Sequence, residues 1–126
     1  MRSLLVTAAL FASTALSTIT SGPFFQVKPT VKNGNVQFIG KNISHKPIVA
    51  YVVVAEWSNH RSVWHGVYGG PDSLPAGQTV TVGEAHVGSA GKFNASVDYV
   101  RLADGTTWGD IATDDAKEIA ARFQQH

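Results

Sequence analysis

Residues 48–57 read IVAYVVVAEW, and this run decides the fold. Taken as a strand, it points Ile48, Ala50, Val52 and Val54 to one side. Val49, Tyr51, Val53, Ala55 and Trp57 point to the other. Successive side chains of a strand alternate between faces. Here both faces are apolar, which predicts a central strand covered on both sides.

The flanking sequence repeats the period of two. Phe25, Val27 and Val31 alternate with Gln26, Lys28, Thr30 and Lys32, the pattern of a half-buried strand. Pro29 cannot donate to a ladder, so that strand is expected at a sheet edge. Asn33-Gly34 tolerates positive φ at both positions and predicts a two-residue hairpin. The return strand puts Val36, Phe38 and Gly40 on one face. A polar turn, Asn42 to Pro47, leads into the central strand. Beyond it, Ser58 to Arg61 turns the chain, and Ser62 to Tyr68 resumes strand character with Trp64 and Tyr68 on one face. LPAGQTVTV (74–82), a glycine-rich loop from His86 to Gly91, a strand from Phe93 to Leu102 and an Asp104-Gly105 turn into Thr106–Trp108 complete the series. Short strands separated by turn signals every 8–12 residues or so predict an antiparallel sandwich of about seven strands over residues 24–110.

The tail changes period. Ala116, Ile119, Ala120 and Phe123 form an i, i+3, i+4, i+7 stripe. Thr113 is placed to cap the helix, and Asp114 and Asp115 fall where the helix dipole favours acids. A helix over 113–124 is expected to dock on the sandwich, because one this short is marginal alone. Trp108 is expected to pack beneath it.

The start of the chain reads as a targeting segment. Met1-Arg2-Ser3 is short and positive, Leu4 to Ala12 is apolar and uncharged, and Ala15-Leu16-Ser17 is a small-x-small site. This predicts a secretory signal peptide over 1–17, cut after Ser17 or as late as about residue 22. The apolar run is shorter than the roughly 20 residues of a membrane span, so no membrane insertion is expected after cleavage. The style of the segment suggests a bacterium, with export to the periplasm or beyond.

The chain contains no cysteine. A disulfide framework, thiolate catalysis, haem c attachment and Cys-ligated metal centres are therefore excluded. The formal net charge is +1 with both signs scattered, so the basic stripe of a nucleic-acid-binding surface is missing.

Three stretches, KNISHKPIVAYVV (41–53), LPAGQTVTV (74–82) and VDYVRLADGTTWGD (97–110), together resemble the small exported immunoglobulin-like or fibronectin III-like sandwich domains of bacteria. Leu74-Pro75-Ala76-Gly77 matches the turn that leads into an alternating strand in those domains. Asp104-Gly105 followed by Trp108 matches their late hairpin. The resemblance implies an immunoglobulin-like antiparallel β-sandwich but not the C-terminal helix. It carries over no functional residues, because the family shares no active site. The antibody-type Cys…Trp…Cys pattern is absent.

Several residue groups could carry chemistry. Trp57, Trp64 and Tyr68, with His65 nearby, could stack on a sugar, since flat aromatic faces match pyranose C–H groups. The same rings could equally fill the core or stack across a hairpin. His60, His65 and His86 lack metal-ligand spacing, so no metal is assigned. Asp104, Asp110, Asp114 and Asp115 lack the Asp-x-Asp-x-Asp-Gly spacing of a calcium loop. Glu56, Glu84, Asp98 and Asp110 could supply paired carboxylates, but nothing singles out a pair. Gly-x-Ser-x-Gly and phosphate-loop motifs are absent.

The expected function is an exported, non-catalytic module with a structural or protein-interaction role in the cell envelope. No enzyme activity and no cofactor are assigned. Its partner would be a protein or an envelope polysaccharide. The alternatives are a carbohydrate-binding module built on the exposed aromatics and, more weakly, a periplasmic metal-binding protein.

Overall fold

The computed structural model describes residues 17–69, 71–88 and 91–124. The expected signal peptide, apart from Ser17, lies outside them. The described residues form β1 (Thr18–Thr20), β2 (Phe25–Lys32), β3 (Asn35–Asn42), β4 (Ile48–Trp57), β5 (His60–Val67), β6 (Thr79–His86), β7 (Phe93–Leu102), β8 (Thr107–Trp108) and helix α1 (Asp114–Gln124). One sheet has the order β2-β3-β6 and the other the order β1-β7-β4-β5, with β8 also paired to β7. The chain is an all-β sandwich with one C-terminal helix. Among the described residues the strands number eight rather than about seven, the addition being β1, whose three residues are too few to show a period in sequence. The pairing is also not purely antiparallel: β1 lies parallel to Asn94–Ser96 of β7.

β4 is central, between β7 and β5, and both its faces are covered. Tyr51, Val53 and Ala55 face the second sheet and join Phe25, Val36, Phe38, Val97 and Val100 in the main core. Ala50 and Val52 face outward and are buried with Tyr99 under Ala116 and Ile119 of the helix. The helix therefore docks on its own domain. Thr113 caps it, Oγ1 accepting from Ala116 N at 3.1 Å. At its other end the Arg101 guanidinium lies 4.5 Å from the Phe123 ring centre, a cation–π contact.

Two β-bulges correct the simple alternation. The β4–β7 register shifts between Ile48 and Ala50 and between Val52 and Val53. The first shift turns Ile48 into the main core, away from the face of Ala50 and Val52 where strict alternation puts it. The second leaves Asp98 as the extra residue of β7, so that Asp98 and Tyr99 both lie on the helix side. Val31 is a further correction, being 62% exposed. It lies where the β2–β3 hairpin runs past the core. β6 continues to His86, well beyond residue 82. Trp108 packs not under the helix but on the main core, with its ring over Gly22.

The free edge of β2 is blunted. Pro29 pairs with Phe38 in an unbroken register and has no N–H, so the odd-numbered residues of β2 point their backbone groups away from β3. Ser21 Oγ receives the Val27 N–H at 2.9 Å and lies 3.4 Å from the Val27 carbonyl oxygen. Phe25 O accepts from Gly22 N at 3.1 Å. Capping by Ser21 and Gly22, together with Pro29, leaves little of this edge for another strand.

Candidate functional site

The chemistry-bearing residues of the β4–β5 hairpin do not form one cluster. Trp57 and Trp64 do come together, their rings stacked at 6.1 Å. His60, opposite Trp57 in the β4–β5 register, has its ring 5.8 Å from that of Trp57. Trp64 also meets Phe38 at 5.5 Å and covers Gly83, so it closes the gap between the β5 and β6 edges of the two sheets. Tyr68 follows the far end of β5 and packs, half-buried, on the main core. Burial pushes the Tyr51 hydroxyl up to about 12, with the nearby Tyr68 adding to the effect. Burial likewise raises Tyr68. Neither phenol is set up as a base at neutral pH.

Of the three rings, Trp57 borders an open groove of about 300 Å³, with Glu56, Ser58, Lys92, Phe93 and Asn94. Glu56 is exposed there and offers an acceptor, while Lys92 and Asn94 offer donors.

His65 points to the opposite face from Trp64, because β5 alternates without a bulge. Its Nδ1–H donates to Asp115 Oδ2 at 3.2 Å. His86, on the other sheet, is paired with Asn35 Oδ1 at 2.6 Å. Among the described residues no three His, Asp or Glu side chains gather where a metal ion could be held. Asp104 accepts from Thr106 N at 2.9 Å and pairs with Lys46 at 2.9 Å. The Thr106 N–H, followed by Lys46, holds its carboxyl well below the usual range. The first contact belongs to the hairpin turn, and the second ties it to the turn between β3 and β4.

Asp98 is the side chain whose place the sequence did not reveal. Its carboxylate accepts from Ala112 N at 2.9 Å, Thr113 N at 3.0 Å and Thr113 Oγ1 at 2.6 Å. Burial alone would raise its pKa, but these bonds and the charge of Arg61 outweigh it and hold the carboxyl below its ordinary value. The Asp98 carbonyl also accepts from Ile111 N at 3.2 Å. That bond holds Ile111 at φ 53°, a left-handed conformation that a β-branched residue rarely adopts. The one sequence signal was an acid inside the apolar run VDYV (97–100).

The remaining feature is backbone. Tyr68 N donates to Val49 O at 2.9 Å. The β4–β5 register is unbroken from Ala50↔Val67 to Trp57↔His60. The even-numbered residues of β5 therefore bond β4, and Arg61, Val63, His65 and Val67 point their N–H and C=O groups outward. Among the described residues none of these outward backbone groups has a hydrogen-bond partner. Unlike β2, the strand has no proline and, among the described residues, no capping side chain.

Compared with known protein families, curated proteins and solved structures, the chain matches none.

Proposed function

We propose that this chain is an exported, non-catalytic β-sandwich module with a structural or protein-interaction role in the cell envelope. The observation that carries the reading is the open edge of β5, where four alternate residues present unpaired backbone donors and acceptors. Such an edge is a template for a strand from another chain. The contrast with the capped β2 edge supports it, since one edge is protected and the other is left open. The placement of the polar side chains supports a non-catalytic role. Asp98 holds the helix, Asp104 holds a turn, and His65 and His86 each engage a neighbour.

Export rests on the pattern of residues 1–17. Kinship with immunoglobulin-like or fibronectin III-like domains draws support from the strand order. With β2 to β8 lettered A, B, C, C′, E, F and G, β2-β3-β6 reads A-B-E, and β7 flanked by β4 and β8 gives G-F-C, continued by β5 as C′.

In-cell photo-crosslinking tests the interaction role. A photoreactive residue at Val67 is expected to capture a protein, and the same residue at Thr30 on the capped edge to capture none. Absence of any adduct from Val67 would overturn the role.

A second reading, carbohydrate binding, is favoured by the groove beside Trp57, where an aromatic ring stands next to Glu56, Lys92 and Asn94. It predicts that Trp57→Ala abolishes retention of the chain on an envelope polysaccharide. Retention that never occurs, or that survives the substitution, removes it.

A further inference from the structure

The partner at the β5 edge is a second copy of this chain: we infer that two copies pair antiparallel, β5 to β5, across a two-fold axis at Trp64. This rests on the interaction role proposed for that edge and names its occupant.

The register follows from the outward groups. Arg61, Val63, His65 and Val67 all present backbone donors and acceptors. An antiparallel partner uses all four when Arg61 faces its partner's Val67 and Val63 faces its partner's His65. Each of the four pairs then exchanges two hydrogen bonds. Shifting the axis to His65 leaves Arg61 unmatched and sets two histidines face to face. Shifting it to Val63 strands Val67, which is 40% exposed. The axis at Trp64 is thus the register with full pairing and no like charges opposed.

Side chains agree with this register. On the helix side, Val63 and Val67 give the joined strands an apolar surface, Val63 being packed against the helix cluster already. Arg61 falls diagonal to its partner's His65, which holds Asp115 at 3.2 Å. A cation therefore approaches an acid of the other copy, within diagonal reach of a long side chain. On the core side, Trp64 faces its partner's Trp64 across the axis as a non-hydrogen-bonded pair, with Cα atoms about 4.5 Å apart. The half-buried Trp64 sits at the centre of the contact, where aromatic anchors contribute most. A two-fold contact of this kind is self-complementary and closes, so it ends at two copies.

Analytical ultracentrifugation of the purified chain tests the pairing. The wild-type chain is expected to sediment as a dimer at micromolar concentration. Val67→Lys opposes a cation to its partner's Arg61 twice across the axis, and is expected to weaken dimerisation about tenfold or more. Adding Arg61→Glu to Val67→Lys turns both oppositions into attractions and is expected to restore the dimer. Residues 61 and 67 are too far apart within one strand to meet, so rescue reports pairing between copies. Val31→Lys on the capped β2 edge should leave the dimer unchanged. A monomer at every concentration, or a dimer indifferent to Val67→Lys, overturns the inference. If the chain is monomeric yet Val67 still crosslinks to a different protein, the second-copy inference fails while the interaction role stands.

Discussion

Asp98 Oδ2 accepts from both Thr113 Oγ1, at 2.6 Å, and Thr113 N, at 3.0 Å, and so ties β7 to the first turn of α1. Thr113 in turn caps the helix through the same Oγ1. One hydroxyl serves the strand as a donor and the helix as an acceptor, and the two elements are fixed as a unit. Removing the carboxylate leaves the buried donors of Thr113, and the part-buried N–H of Ala112, without this partner. Asp98→Ala is expected to cost about 3 kcal/mol, since bonds to charged groups contribute about 1.5–3 and orphaned donors add to the loss. Thermal melting checks this, with a fall of more than about 10 °C expected for a domain of this size.

The same pair makes a pH prediction. The Asp98 carboxyl lies below its ordinary value in the folded state. The unfolded chain therefore binds its proton first as pH falls, at about 3.9. The stabilisation is present above that pH and is lost as pH drops toward and through the folded value. The difference in melting temperature between the wild-type chain and Asp98→Asn should be constant at neutral pH and shrink below about pH 4. Asp104 shifts in the same direction but is present in both chains, so the comparison isolates Asp98.

Tyr99 offers a test of opposite sign. Its hydroxyl is buried beneath the helix with no hydrogen-bond partner among the described residues. Tyr99→Phe removes an unsatisfied polar group and keeps the ring. It is expected to leave stability unchanged or raise it by about 1 kcal/mol. A clear loss in chemical denaturation would show that the hydroxyl has a partner after all.

Gly83 lies under the Trp64 ring, and a Cβ there would overlap the indole. Gly83→Ala should push the ring outward at a cost of about 1–3 kcal/mol, the usual range for overpacking. The emission of Trp64, isolated in a Trp57→Phe, Trp108→Phe background, should shift toward that of a solvated indole.

Ser21 protects the β2 edge. Ser21→Ala frees the Val27 N–H and is expected to cost about 1 kcal/mol, the net contribution of one hydrogen bond. Hydrogen exchange should show faster loss of protection at Val27, with the β3–β6 ladder unaffected. An unchanged rate at Val27 would mean that the Ser21 hydroxyl does not cap it.

Much of the architecture was legible because it depends on local order. β4 and β7 have the bounds that their apolar runs suggest, Ile48–Trp57 and Phe93–Leu102. Asn33 and Gly34 take φ of 54° and 79°, as an Asn-Gly hairpin requires. Thr113 caps a helix whose stripe of Ala116 and Ile119 is buried. Two apolar faces on β4 foretold two layers of cover, and a proline foretold the edge.

What only the tertiary structure decided lies where the period breaks or where distant segments meet. A bulge moves every later side chain to the other face, and no composition signal marks it. That is why Ile48 and Tyr99 are turned from where alternation puts them. Trp108 has the composition of a helix-facing ring, yet the hairpin carries it over Gly22, 86 residues upstream. The β5 edge was equally invisible, since His60–Val67 reads as any strand would. Alternation determines which side chains share a face. Only the positions of neighbouring strands determine which backbone groups remain unpaired, and those groups carry the function proposed for this protein.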